Sequence, residues 1–223
     1  MTIRVCIADD QESARVMLRG TLDPHPDIRI VGEAEDGEKA VTLCRETAPD
    51  VLLLDISMPR LNGIEAAKIL SSLPNPPKIV TLSMHDDAFL AAEILNAGAH
   101  AYLTKDCEPG EIVRAIRTVM SGRAYLSAGI AGAVVERFIR KKCEPKARGS
   151  GPDGKPILAC LSTRERQVFR YLALGLSTRE ISERFGISHK TVETHRGNLL
   201  KKLGVSRMAD LIRLAIREGL IEP

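Results

Sequence analysis

The segment Val51–Asp55 constrains the fold of this chain more than any other. Four consecutive apolar residues precede the aspartate, and the pairs Pro49-Asp50 and Met58-Pro59 lie on either side of the run. A short, uniformly apolar run is typical of a strand that is buried on both faces, as in a parallel sheet. A carboxylate at the end of such a strand indicates a group that is paired, bound to metal or used in chemistry.

Three other strand-like runs also end in polar residues. Because the carboxyl ends of parallel strands gather at one edge of an open α/β sheet, we expect all these polar side chains to lie close together. In chain order they are Asp9 and Asp10 after residues 3–8, Asp55 after residues 51–54, Ser83 after residues 79–82 and Lys105 after residues 101–104.

Segments with helical spacing separate these runs. Apolar residues recur every three or four positions between residues 12 and 22, 40 and 44, 63 and 73, 88 and 97, and 108 and 121. Residues 28–31 alternate as a further strand between the first two helical segments. Strand and helix patterns therefore alternate five times and predict an α/β doubly wound, parallel five-stranded sheet over residues 1–123.

The distribution of charge predicts a second domain. The chain of 223 residues has a net charge of +3, but residues 1–125 carry −6 and residues 126–223 carry +9. An acidic half joined to a basic half indicates two domains, of which the second faces a polyanion. Aromatic residues are scarce and tryptophan is absent, which argues against a surface that stacks single-stranded bases.

The cysteines and the hydropathy pattern predict a cytoplasmic protein. Five cysteines are an odd number and form no C-x-x-C pair, so buried or incidental thiols in a reducing compartment are favoured over disulfides or a metal site. We also expect no signal peptide and no membrane span, because no long apolar run is present.

The second half begins with a linker, which we place at residues 124–157. Residues 128–142 have helical spacing and end in a basic run, which predicts an extra helix that links or docks the domains. Residues 143–156 are rich in Gly, Pro and Lys, a composition that predicts a flexible tether.

Residues 158–223 show the pattern of a small all-α helix-turn-helix domain. Ser162 with Glu165, and Ser177 with Glu180, have the spacing of capping boxes at helix starts. The second of these helices ends at Gly186, and a longer basic helix follows. Two helices joined by a tight glycine turn are typical of DNA-binding proteins, although a plain helical bundle with solvated charges stays open.

The strand ends carry residue types suited to phosphoryl transfer. A carboxylate can attack phosphorus and form an aspartyl-phosphate. Mg²⁺ prefers one or two carboxylates together with water and phosphate oxygens, and a lysine and a hydroxyl can satisfy the remaining phosphoryl oxygens. A single aspartate after a strand is most often a turn or capping residue, and Lys105-Asp106 alone would suit a surface turn. Four complementary strand ends favour the chemical interpretation.

These residues resemble a known family. The spacing is similar to that of the receiver domain of two-component response regulators, which is flavodoxin-like, over about residues 3–121. The matching positions are Asp9-Asp10, Asp55, Met58-Pro59, Gly63, Ser83 and Lys105. The resemblance implies that Asp55 accepts a phosphoryl group from a partner histidine kinase.

The same resemblance implies roles for the neighbouring residues. Mg²⁺ would be bound by the Asp10 and Asp55 carboxylates and the backbone carbonyl of Ser57, with Asp9 acting through water. Ser83 and Lys105 would contact the phosphoryl group. Tyr102 stands where receivers often carry a switch aromatic that turns inward as the Ser83 hydroxyl moves, and ordinary packing is the alternative.

The basic half resembles the LuxR-type DNA-binding domain over about residues 158–221. The pattern is carried by Leu161-Ser-x-Arg-Glu165, Gly175-Leu-Ser177, Thr191-Val192-x-x-His195 and Lys202-Leu203-x-Val205. It implies that the helix from Ser188 to Lys202 enters the major groove, with phosphate-facing Lys190, Thr191 and Lys201 and base-reading positions at Glu193, Thr194 and Gly197. Ser188 and Arg196 complete the predicted contacts. Gly197 departs from the long side chain usual at its position, so one base contact is expected to be missing.

The two resemblances together imply a transcriptional response regulator of the NarL/FixJ type, which forms a homodimer when phosphorylated or bound to double-stranded DNA. We expect the receiver to accept a phosphoryl group and to lose it again, without being a metabolic enzyme. A phosphohydrolase of the haloacid-dehalogenase type is one alternative. Such an enzyme would carry a second carboxylate two residues after Asp55, where this chain has Ser57. The other alternative is a phosphorylation-independent DNA-binding protein whose receiver is only a dimerisation module.

Overall fold

The computed structural model describes residues 2–84, 87–132, 134, 160–205, 207–218 and 220–221. The chain divides into two compact units, Met1–Lys142 and Cys143–Pro223. The predicted boundaries at residues 123 and 157 stay a prediction, and the predicted tether at residues 143–156 lies outside the described residues.

The first unit contains a parallel sheet of six strands in the order β2-β1-β3-β4-β5-β6. The strands are β1 Ile3–Ala8, β2 Ile28–Ala34, β3 Val51–Asp55, β4 Lys78–Ser83, β5 Ala101–Thr104 and β6 Tyr125–Leu126. The doubly wound parallel fold is confirmed. The short β6 extends the predicted five strands at one edge, where two residues are too few to show a strand pattern in the sequence.

Five helices connect the strands. They are α1 Glu12–Leu22, α2 Gly37–Thr47, α3 Gly63–Ser71, α4 Ala88–Asn96 and α5 Pro109–Met120. Apolar residues of α1 and α5 pack with Val51 and Leu53 on one side of the sheet. Residues of α2, α3 and α4 pack with Leu52 and Leu54 on the other side. Successive side chains of β3 therefore enter two different cores, which explains its uniformly apolar sequence.

The connection after β6 is helical at residues 128–132. Ile130 and Val134 are buried in the same cluster as Tyr102, so this part of the predicted linker helix packs on the first unit. The remainder of that predicted helix lies outside the described residues.

The second unit contains four helices, α6 Thr163–Ala173, α7 Thr178–Phe185, α8 His189–Leu203 and α9 Met208–Arg217, among the residues that the structure describes. Both predicted capping boxes are formed: Ser162 and Glu165 cap α6, and Ser177 and Glu180 cap α7. Gly186 ends α7 in the left-handed conformation with φ 61°, and Ser188 then caps α8. The helix-turn-helix pattern is therefore formed by local capping and a glycine turn.

Within the described ranges, no helix is long and apolar enough to span a bilayer. The four described cysteines, Cys6, Cys44, Cys107 and Cys160, are free thiols.

Gly63 gives a direct test of packing below the sheet edge. A Cβ added at Gly63 would lie 2.3 Å from the backbone oxygen of Asp55, whereas a Cβ at Gly20 in α1 would meet nothing within 4 Å. We expect Gly63→Ala to lower the free energy of unfolding by about 1–3 kcal/mol through overpacking. Gly20→Ala should raise it by about 0.5–1 kcal/mol through helix propensity. Chemical denaturation measures both, and equal shifts in one direction would contradict the packing argument.

Candidate metal centre and nucleic-acid interface

Three carboxylates meet at the carboxyl edge of the sheet. The backbone pairing of Ala8 with Leu54 places the residues that follow, Asp9 and Asp55, side by side. One carboxylate oxygen from each of Asp9, Asp10 and Asp55 can be chosen so that all three lie within 4.8 Å of one another. Asp9 and Asp55 are buried, and Asp10 is exposed to solvent. The structure therefore brings together three of the side chains predicted to meet here.

Lys105 joins two of these carboxylates. Its Nζ lies 2.6 Å from Oδ2 of Asp9 and 3.2 Å from Oδ1 of Asp55, and only 10% of its side chain is exposed. The backbone N–H of Lys105 donates to the carbonyl oxygen of Ser83 over 2.7 Å, which fixes the start of the loop after β5. The surface-turn alternative for Lys105 does not describe this geometry.

Burial and mutual repulsion shape the protonation of the cluster. The pKa of Asp55 is raised to about 6: burial is the largest cause, the charge of Lys105 opposes the rise, and the charge of Asp9 adds to it. Burial, followed by the charge of Asp9, also raises the pKa of Asp10. Burial by itself would lower the pKa of Lys105, but Asp55 and Asp9 together raise it. Three carboxylates thus share one ammonium group.

This group of side chains suits a divalent cation. Oxygen ligands from carboxylates are those that Mg²⁺ prefers, and the exposed Asp10 leaves a side open to water. A cation would also balance the excess of negative charge at a buried edge. Ser57 follows Asp55 in the loop after β3, and its backbone N–H hydrogen-bonds to the Asp55 carboxylate. The carbonyl of Ser57 as a ligand stays a prediction.

Ser83 and Tyr102 lie on the strands next to Asp55. Ser83 is the buried last residue of β4, one position beyond Leu82, which pairs with Asp55. Tyr102 pairs with Thr81, and its side chain is completely buried. The inward position of Tyr102 fits both a switch residue and ordinary packing, so the switch stays a prediction.

The sequence pattern did not indicate two further groups that orient Asp9. The backbone N–H of Gln11 donates to Oδ1 of Asp9 over 3.0 Å, and Nη1 of Arg15 donates to the backbone carbonyl of Asp9 over 2.8 Å. Arg15 also pairs with Glu33 of β2 at 3.3 Å. Helical spacing places Arg15 on α1, but only the position of α1 beside β2 reveals these contacts.

In the second unit, α8 presents one face away from its core. Val192 and Leu199 are completely buried. Lys190, Thr194 and Lys201 are exposed, and helical periodicity places them opposite the buried pair. Gly197 belongs to the same face, and a Cβ added there would meet nothing within 4 Å. The exposed face of α8, defined by residues 190, 194, 197 and 201, is therefore free of contacts that would block a duplex within the described part of this unit.

Other predicted contact residues flank this face. Ser188 caps α8, and its hydroxyl lies 2.8 Å from the Thr191 hydroxyl. Glu193 is held between two basic side chains on the same helix: Arg196 at 3.6 Å and His189 at 3.9 Å. Arg196, which was predicted only as a DNA contact, therefore also orients the side chain of Glu193.

Lys202 has a structural contact that its place among the basic residues of α8 did not indicate. Its Nζ lies 2.6 Å from Oε2 of Glu165, whose side chain is almost completely buried. Glu165 also accepts from the backbone N–H of Ser162 over 2.7 Å. This ion pair ties the last turn of α8 to the first turn of α6. Lys201 stays exposed beside it.

The pKa of Asp55 predicts a pH-dependent stability. The pKa of Asp55 is about 6 in the folded state and near 4 in the unfolded chain. The contribution of Asp55 to folding stability is therefore greatest below about pH 4, falls as the pH rises from about 4 to 6, and is absent at higher pH. In EDTA at pH 7.5, the Asp55→Asn variant should therefore have a free energy of unfolding about 1–3 kcal/mol higher than the wild type, and it should unfold at a higher temperature. The gain should vanish near pH 4. The exposed Asp23→Asn is the control, and a less stable Asp55→Asn protein at pH 7.5 would contradict the argument.

Both halves of the chain match known families. Residues 5–117 match the response regulator receiver domain. Residues 159–215 match the bacterial regulatory proteins of the luxR family. The first match lies in the unit with the carboxylate cluster, and the second lies in the helix-turn-helix unit.

Two relatives match this chain over nearly its whole length, and a solved structure matches part of it. The response regulator UvrY of Escherichia coli strain K12 is 38% identical over 218 residues, which are 98% of this chain and 95% of that protein. The transcriptional regulatory protein UhpA of the same strain is 36% identical over 95% of this chain and 96% of its own length. A solved two-component response regulator of the LuxR family from Aurantimonas sp. SI85-9A1 is 32% identical, with a TM-score of 0.59, over 62% of this chain and 99% of that one. The chain therefore belongs to the two-component response regulators of the NarL/FixJ type, in which a receiver domain is joined to a LuxR-type DNA-binding domain.

Proposed function

We propose that Mg²⁺-dependent phosphorylation of Asp55 by a partner histidine kinase controls DNA binding by this transcriptional regulator. The observation that carries the proposal is the cluster of Asp9, Asp10 and Asp55 with Lys105 between two of its members. Such a cluster combines a nucleophile, a cation site and a group that binds a phosphoryl oxygen.

In the proposed step, a carboxylate oxygen of Asp55 attacks the phosphorus of a phosphohistidine. A P–O bond forms and the P–N bond breaks, and the imidazole leaves with the electron pair and takes up a proton. Asp55 must be ionised to attack, although its burial favours the neutral form. The positive charge of Lys105 lowers the pKa of Asp55 and so favours the reactive form.

The residues of the cluster have separate tasks. The carboxylates of Asp10 and Asp55 and the carbonyl of Ser57 would hold Mg²⁺, with Asp9 acting through water. When bound, Mg²⁺ supplies positive charge that neutralises the attacking and phosphoryl oxygens. Lys105 would contact a second phosphoryl oxygen and the hydroxyl of Ser83 a third. Loss of the phosphoryl group to water would restore the carboxylate.

We propose that the aspartyl-phosphate acts by a population shift. Movement of the Ser83 hydroxyl and of Lys105 towards the phosphoryl group would change the packing around the buried Tyr102 and the neighbouring α4. The favoured state would pair as a homodimer and bind two half-sites about one helical turn apart. A cytoplasmic location belongs to the same proposal.

On DNA, we propose that α8 enters the major groove through its exposed face. Lys190, Thr191 and Lys201 would contact phosphates, which position the helix without reading sequence. Glu193 would accept a hydrogen bond from cytosine N4, and Thr194 would contact a thymine methyl group. Ser188, at the start of α8, and Arg196, beside its exposed face, would make further contacts with the duplex.

Phosphorylation at Asp55 is tested by incubating the full chain with acetyl phosphate and Mg²⁺. We expect a retarded band on a phosphate-affinity gel for the wild type and for Asp23→Ala, an exposed aspartate outside the site. Asp55→Ala should give no retarded band, because the nucleophile is missing. A retarded band of equal intensity in Asp55→Ala would refute the assignment.

The salt dependence of DNA binding tests the proposed use of α8. Each phosphate contact that is lost should reduce the slope of log affinity against log salt concentration by about 0.9. We expect this change for Lys190→Ala and for Lys201→Ala, measured by fluorescence anisotropy with a labelled duplex. Arg213→Ala is the control, because this highly exposed arginine lies on α9. Unchanged slopes in both lysine variants would exclude the proposed face.

A further inference from the structure

The backbone of Arg60 is unusual in the loop between β3 and α3. Arg60 has φ +61°, in the left-handed region that residues with a side chain rarely adopt. The loop, residues 56–62, follows Asp55 directly and contains Ser57. A strained residue persists only where its surroundings fix it, and such residues cluster at functional sites.

The Arg60 side chain is fixed by a buried carboxylate. Its Nη2 pairs with Oδ2 of Asp36, a residue with no exposed surface. The other oxygen of Asp36 accepts from the backbone N–H of Lys39 over 2.8 Å and caps α2. Glu35 lies 4.0 Å from the same arginine, but it pairs more closely with Lys39, at 2.6 Å. We call the contact between Arg60 and Asp36 the loop clamp.

The two loops that the clamp joins are in close contact. A Cβ added at Gly37, next to Asp36, would lie 2.0 Å from the carbonyl oxygen of Leu61, next to Arg60. At the end of the loop, Asn62 caps α3, and Gly63 N–H donates to the carbonyl of Ile56 over 3.0 Å. Both ends of the loop are therefore anchored, and the clamp restrains the residues between them.

Arg60 compensates the buried charge of Asp36. Half of the Arg60 side chain is exposed, but Asp36 is completely buried, and a buried carboxylate without a partner is costly. Glycine would adopt the same φ without a steric cost. What the arginine adds is a fixed connection between the loop of Ser57 and the buried cap of α2.

We infer that the loop clamp positions the backbone of residues 56–62, and with it the Ser57 carbonyl, for binding a divalent cation beside Asp55. Arg60 is then a positioning residue that touches neither cation nor phosphoryl group. The inference rests on the proposed cation site, and it adds two residues that the sequence pattern of the site does not contain.

Charge and positioning predict opposite effects for one variant. Removing the positive charge of Arg60 near a cation site would strengthen cation binding if only Coulomb forces acted. Removing the negative charge of Asp36 would weaken it. If the clamp positions the loop, both Arg60→Gly and Asp36→Asn should weaken binding, and the double variant should be no weaker than either single variant. Asparagine also caps helices, so Asp36→Asn retains the start of α2.

The experiment is a titration of the full chain with Mn²⁺, followed by electron paramagnetic resonance without a phosphodonor. We expect about tenfold weaker binding in Arg60→Gly and in Asp36→Asn, as for other residues that support metal ligands. Arg60→Lys, which keeps the charge, should recover part of the loss. Glu38→Gln, an exposed change of charge on α2, should bind like the wild type. Thermal unfolding in EDTA should show Arg60→Gly folded, so that weaker binding is not caused by unfolding.

The outcomes separate the inference from the proposed site. Wild-type binding that is lost in Asp10→Ala supports the cation site. If Arg60→Gly then binds Mn²⁺ as tightly as the wild type or more tightly, the loop clamp is refuted and the site remains. If wild-type binding is absent or survives Asp10→Ala, the proposed cation site is wrong, and the inference is overturned with it.

Discussion

The ammonium group of Lys105 between the carboxylates of Asp9 and Asp55 is the interaction on which the rest of the first unit depends. Both carboxylates are buried at adjacent strand ends, and their mutual repulsion would oppose folding if the ammonium group did not lie between them. One ammonium group does not neutralise three carboxylates. The fold therefore keeps an excess of negative charge at one edge of the sheet, where a divalent cation and a phosphoryl group are expected to bind.

The loops around this edge are held by contacts that leave little space. Gly63 and Gly37 lie where any larger residue would meet the backbone, and Arg15 donates to the backbone of Asp9 from α1. The pair of Arg60 and Asp36 adds an electrostatic connection to this steric one. A site that binds a small, strongly hydrated cation needs such rigidity, because Mg²⁺ tolerates little deviation from its preferred geometry.

The second unit uses a single carboxylate for two purposes. Glu165 completes the capping box of α6 and binds Lys202 at the end of α8. Burial alone would raise the pKa of Glu165, but hydrogen bonds from Lys202 and Ser162 lower it. This contact fixes α8 through its last turn, and the face with Lys190 and Lys201 stays exposed for a duplex. Lys202 thus supports the packing of α6 against α8, and the adjacent Lys201 belongs to the exposed face of α8.

The sequence by itself determined five of the six strands, the five helices between them, both capping boxes and the gathering of Asp9, Asp10, Asp55 and Lys105. Strand patterns, caps and the edge rule for parallel sheets are local or topological, so they can be inferred without the tertiary structure. The sequence did not reveal β6, which has only two residues, the role of Lys202, or the contacts of Arg15 and Arg60. The contacts of Lys202, Arg15 and Arg60 depend on side chains that reach residues 6 to 37 positions away in the sequence, and no spacing rule fixes that distance. Only the tertiary structure, which brings α1, β2 and the loop after β3 together, decided which charges meet.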